Sequence, residues 1–186
     1  MREDVFVSVD IEADGPIPGD HSMISLGAVV IGKGDLTFYR ELRPISKRFV
    51  AEALAVSGLD RDKLCEEGAD PEVAMREFAS FLKDASPGGR PVFVAFNATF
   101  DWMFVNWYFI HFLGKNPFGI SGLDIKAYYM GALGKRRWSD TTKQKMDKRF
   151  LSSAPHTHNA LDDAREQAEI FEKIRSFVAA QGGHRA

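Results

Sequence analysis

The sequence predicts an α/β layer fold, a mixed five-stranded sheet flanked by helices. Three strand-like segments follow one another near the start of the chain, and helical and strand-like patterns alternate after them. The wholly apolar run VFVAF at 92–96 adds the signature of a strand buried on both faces. With 186 residues, 45% of them hydrophobic and 27% charged, the chain reads as one domain over 1–186. A chain of that size buries roughly 70% of its unfolded surface.

Residues 5–11 set Val5, Val7, Val9 and Ile11 against Phe6, Ser8, Asp10 and Glu12, a period of two that defines a strand. Residues 23–31 form a second strand. Gly32 to Asp35 turn the chain, and LTFYREL returns as a third. These glycines read as hairpin chemistry, because the Gly-Lys-Ser/Thr ending of a phosphate-cradling loop is missing. Helices are expected at 49–56 and at 71–84, the latter with Asp70 as N-cap and Pro71 in its first position. After the 92–96 strand, a helix begins near Thr99. A fifth strand is expected at 120–123, helical stretches at 124–133 and 141–150, and a last helix over 160–179, with residues 180–186 as a frayed tail.

Cys65 is the single cysteine and has no internal disulfide partner, and MREDVF carries acids where a secretory signal needs apolar residues. The expected setting is reducing and cytoplasmic. The most apolar stretch, 102–113, is interrupted by Asn106 and His111 and falls short of the roughly 20 residues that span a bilayer, so no membrane partner is expected. Net charge is -2, yet Lys135, Arg136, Arg137, Lys143, Lys145, Lys148 and Arg149 cluster against only Asp140 and Asp147. Such a basic stretch, with Trp138 inside it, suits contact with a phosphate backbone; its plain alternative is a solvated helix face.

Four acids and one histidine stand where elements end. Asp10 and Glu12 point the same way from the first strand, whose carboxyl end opens on the crevice where α/β sheets bind ligands. Asp101 lies in the opening turn of the helix after VFVAF; Asn97 stands four residues earlier and Phe100 beside it. Capping and dipole complementation are the structural alternatives for Asn97 and Asp101. His158 and Asp163 would lie about 140° apart on one helix. With Asn159 as N-cap, His158 sits in the loop and Asp163 in the first turn, and both reach one cleft. The apolar stripe Leu161, Ala164, Ala168, Phe171, Ile174, Val178 leaves Asp162 facing water and turns Asp163 inward. A His156-x-His158 zinc pair would need a second cluster of soft ligands that the sequence does not contain. Grouped carboxylates repel, by about 4 kcal/mol for a pair 4 Å apart at an effective dielectric of 20, and so need cations or protonation; as hard oxygen ligands they suit Mg²⁺ or Mn²⁺.

Asp10-x-Glu12, Asn97-x-x-x-Asp101 and His158-x-x-x-x-Asp163, in this order, resemble the three motifs of the DEDDh family of 3′–5′ exonucleases, which includes proofreading subunits, RNase T and oligoribonuclease. The resemblance covers about residues 4–178, with ALAVSGLDRDKL similar to the segment between the first two motifs; Asn159, where the sister branch has tyrosine, fits the histidine branch. It implies a ribonuclease-H-like fold and hydrolysis of single-stranded 3′ ends of RNA or DNA to nucleoside monophosphates, with two ions of Mg²⁺ or Mn²⁺. It implies that Asp10 bridges the ions, that Glu12 and Asp163 bind the one that activates water, that Asp101 supports the second, and that His158 takes the proton from the attacking water. Phe100 is a candidate for base stacking, with Asn97 beside it at the substrate. The apolar helix 99–113 is either deeply buried or shared, and the resemblance admits a homodimer. GPIPGDHSM is longer than in the best-known members, so the substrate does not follow by analogy. The rival readings are a non-catalytic nucleic-acid-binding module of the same fold and a phosphohydrolase of small nucleotides.

Overall fold

Five strands form one mixed sheet in the order β3-β2-β1-β4-β5. The computed structural model describes residues 3–153 and 157–182. β1 (Asp4–Ala13), β2 (Met23–Val30) and β3 (Lys33–Glu41) form the antiparallel meander, while β4 (Arg90–Ala95) and β5 (Gly122–Asp124) add on parallel to β1. The first strand is therefore central. Its two-residue period is used as the sequence implies: Val7, Val9 and Ile11 enter one core, and Phe6 packs in the other, its ring 5.6 Å from Phe171.

On the Val7 face lie α3 (Pro71–Ala85) and α4 (Thr99–Leu113), with Phe78, Leu82, Phe104 and Phe109 filling the space above the sheet. Asp70 caps α3 through the Glu72 and Val73 amides, and Pro71 takes its first turn, as expected. The buried Tyr108 hydroxyl accepts from the Met23 amide at 2.8 Å and fixes α4 to the start of β2. The opposite face is covered by α5 (Ile125–Ala132) and α6 (Ala160–Gly182). Gly27, paired across the ladder with Asp10, permits this, because a Cβ there would collide with the backbone of Ala160 and Leu161.

Several boundaries differ from the expectation. The hairpin turn is tighter, with β3 starting at Lys33 after Gly32 at φ 82°. The first expected helix is α1 (Ala51–Ser57), and α2 (Arg61–Glu67), capped by Asp60, was not foreseen. The fifth strand shifts to 122–124 and leaves Ile120 exposed. The helix expected over 141–150 does not form; the segment holds short 3-10 turns, Trp138–Thr141 and Lys148–Phe150. Its side chains bond locally instead, Thr141 to the Trp138 carbonyl and Asp147 to the Arg149 amide, and only Thr141, Met146 and Phe150 are buried, too few for a helical stripe. α6 continues to Gly182, so residues 180–182 of the expected tail are helical and 183–186 lie outside the described residues, as does His156.

The long connection after β1 is built around a buried acid. Asp14 accepts from the Ser22 amide at 2.5 Å and pairs with Arg61 of α2 at 3.1 Å, and Arg61 also donates to the Ser46 carbonyl. One ion pair thereby joins the GPIPGDHSM segment, the 43–50 connection and α2 beside the end of β1.

Candidate active site

The described site residues converge at the carboxyl end of β1. Asp10 and Glu12 project toward α6, and the ladder to β2 shifts register directly after Glu12, a local distortion of the kind that re-aims side chains beside active sites. Asp101, 5% exposed in the first turn of α4, accepts from the Ile11 amide at 3.1 Å, which seats its carboxylate against the strand between Asp10 and Glu12. Asn159 caps α6 through the Leu161 and Asp162 amides at 3.0 and 3.3 Å, as the sequence implies. Asp163 is consequently turned inward, 1% exposed, and accepts from the Thr157 amide at 3.2 Å, whereas Asp162 is exposed and pairs with Arg165. His158 precedes the cap at φ 56°, a left-handed conformation that costs energy outside glycine and concentrates at functional sites. One ligand atom from each of Glu12, His158 and Asp163 falls within 4.8 Å of the others.

Asn97 does not cap α4. Ala98 occupies that position, and Asn97 adopts φ 67° with its side-chain oxygen 3.5 Å from the Lys126 ammonium. The turn is held from β5: Asp124 accepts from the Ala98 amide at 2.7 Å while capping α5 through the Ala127 amide at 2.6 Å. Phe100 is 37% exposed and leans on Phe104 at 5.3 Å, leaving part of its ring free for a ligand. Sequence reasoning missed Gln167. Its amide nitrogen donates to Asp10 at 2.5 Å and its oxygen accepts from the Phe96 amide at 2.7 Å, so it links the central carboxylate to the end of β4. The signal was its spacing, four residues after Asp163 and hence on the same helical face.

The carboxylates are held where their charge is costly. Burial first, then repulsion from Asp101, Glu12 and Asp163, raises Asp10 well above the usual range, against the Gln167 hydrogen bond. Burial, with Asp163 and Asp101 beside it, pushes Glu12 up to about 8. Burial likewise pushes Asp101 up to about 7, although the Ile11 amide favours its charged form. Oxygen donors clustered in this way, with protons retained near neutral pH, are the donor set that hard divalent cations displace protons from.

The geometry has counterparts among known proteins. A family model described as Exonuclease (RNase T) matches residues 7–171. The chain belongs to this exonuclease family. A 3′-5′ DNA exonuclease, Cap18 of Escherichia coli, is 44% identical over 177 residues, covering 94% of each chain. The nuclease domain of 3′hExo, a DEDDh family member solved bound to rAMP, superposes with a TM-score of 0.70 at 17% identity, covering 94% of this chain and 92% of that one. A 3′-exonuclease solved with a histone mRNA stem-loop gives 0.73 at 17% identity; this chain, 94% covered, spans 64% of its length. At that identity the two structures establish the ribonuclease-H-like fold of the family member.

Proposed function

We propose that the protein is a divalent-metal-dependent 3′–5′ exonuclease that releases nucleoside 5′-monophosphates from single-stranded 3′ ends. The observation that carries the reading is the convergence of Asp10, Glu12, Asp101 and Asp163, drawn from β1, α4 and α6, with His158 beside them. The four carboxylates would hold two ions of Mg²⁺ or Mn²⁺, with Asp10 shared between them. Such ions, when bound, activate water and neutralise charge on a phosphate and its leaving oxygen.

The chain's own groups do the rest. His158 accepts a proton from the attacking water as the new O–P bond forms, and the bond from phosphorus to the 3′ oxygen of the retained strand breaks. That oxygen takes up a proton from solvent as it leaves and His158 returns its own proton to solvent, so the products are a 5′-monophosphate and a strand one nucleotide shorter with a free 3′ hydroxyl. Gln167 fixes the rotamer of Asp10, and the Ile11 amide fixes Asp101. Phe100 offers the exposed part of its ring to the terminal base. A second copy of the chain suits the outer face of α4, where Met103 and Ile110 are exposed. The exposed thiol of Cys65 suits a reducing, cytoplasmic setting. Among the described residues no helix is long and apolar enough to cross a membrane.

A short 3′-labelled single-stranded oligonucleotide, incubated with Mg²⁺ or with chelator, tests the proposal. Labelled mononucleotide appearing only with metal supports it. Strand binding without cleavage points to the non-catalytic module. Cleavage of free nucleotides but not of strands points to a small-nucleotide phosphohydrolase.

A further inference from the structure

An open cleft of about 500 Å³ lies beside Asp10 between α5, α6 and the segment after α5; Asp10, Phe96, Lys126, Thr142, Lys143 and Gln167 line it. Lys126 is unusual in this wall. It is 9% exposed, in the first turn of α5, yet forms no ion pair among the described residues. Its ammonium lies 4.4 Å from the centre of the Trp138 ring and 3.5 Å from the Asn97 side-chain oxygen, with Phe96 at 6.0 Å. Lys143 reaches over the same Phe96 ring at 5.3 Å and is steadied by Glu166 at 2.7 Å. A desolvated ammonium without a counter-ion is costly, and is retained where an anion completes it.

We propose that this cleft holds the retained strand upstream of the scissile bond, with Lys126 and Lys143, supported by the Trp138 and Phe96 rings, on its phosphodiester groups. The inference rests on the exonuclease reading, because only then does a strand continue from the phosphate at Asp10. It also revises the sequence expectation for the basic stretch. Of that run only Lys143 lines the cleft beside Asp10, and the unforeseen Lys126 lines it from α5, so these two rather than the whole run are assigned to the strand. Phosphate recognition does not distinguish DNA from RNA, so the contact is common to both.

Two substrates separate this role from the chemistry. Oligothymidylate carries upstream phosphates; the p-nitrophenyl ester of thymidine 5′-monophosphate has the scissile phosphate and none upstream. Lys126→Met, which keeps the buried stem, and Lys143→Gln should each raise KM on the oligonucleotide about tenfold, with a several-fold smaller loss on the ester. Lys126→Arg should restore most of the oligonucleotide KM. In chelator, each charge-removing variant should reduce the slope of log binding constant against log salt by about 0.7. Equal losses on both substrates, an unchanged slope, or losses confined to oligothymidylate and missing on oligouridylate would overturn the proposal. A wild-type protein inactive on both substrates would instead sink the exonuclease reading, and the salt slopes would still show whether the lysines meet phosphate.

Discussion

Asp163 and His158 sit five residues apart on opposite sides of one helix cap, and their surroundings separate their roles. Asp163 is covered and adds its charge to those of Asp10 and Glu12, so Asp163→Asn should abolish hydrolysis and raise the melting temperature of the metal-free protein by removing one repelling charge. Unchanged turnover would take Asp163 out of the mechanism. His158 is exposed beside the carboxylates; His158→Ala should lower the rate by about 10² to 10⁴ while calorimetry shows metal affinity largely kept. Lost affinity would make it a ligand. The raised carboxyls give a pH signature. Glu12 moves from 4.5 to about 8 and Asp101 from 3.8 to about 7, so between about pH 4 and 8 the folded state holds more protons than the unfolded one. Stability of the metal-free protein should then fall as pH rises through that window, as thermal melts with and without Mn²⁺ would reveal. Bound Mn²⁺ or Glu12→Gln should flatten the fall, and a metal-free melting temperature that climbs from pH 5 to 8 would contradict the assignment.

The elements place these groups through a few contacts that pattern alone does not display. Gly27 lets the start of α6 rest on β2 opposite Asp10, and Gly27→Ala must push that helix away. We expect a loss of about 1–3 kcal/mol of stability in denaturant titrations and a fall in activity, because Asp163 is carried on the displaced turn. Activity retained at full stability would show that the helix is not so constrained. Legibility in the sequence divides along the same line. The alternation in β1, the VFVAF strand, the Asp70-Pro71 start of α3 and the Asn159 cap were readable, because each is a local pattern with a local cause. Asp101, Asp163 and the inward turn of Asp10 followed from those elements. The 141–150 segment misled because charged composition suggested a solvated helix where side-chain bonds to the backbone form turns. Lys126, Gln167 and the Asp14–Arg61 pair were hidden because their partners lie 29, 157 and 47 residues away, and no local period marks them.

Across the whole molecule, the sheet order puts β1 at the centre, and every element that carries a site residue meets its carboxyl end. α4 and α6 approach from opposite faces, so the site exists only when both layers are packed. On the proposed reading, an acidic centre at Asp10 and two lysines in the adjoining cleft would give the surface a direction, with the terminal nucleotide at Asp10 and the strand leading past Phe96. The most direct measurement follows a 5′-labelled single-stranded oligonucleotide over time, with Mn²⁺ or with chelator, using the wild type and Asp10→Asn. The expected result is a ladder that shortens one nucleotide at a time from the 3′ end, seen only with the wild type and metal. Internal cuts, or the same ladder from Asp10→Asn, would contradict it.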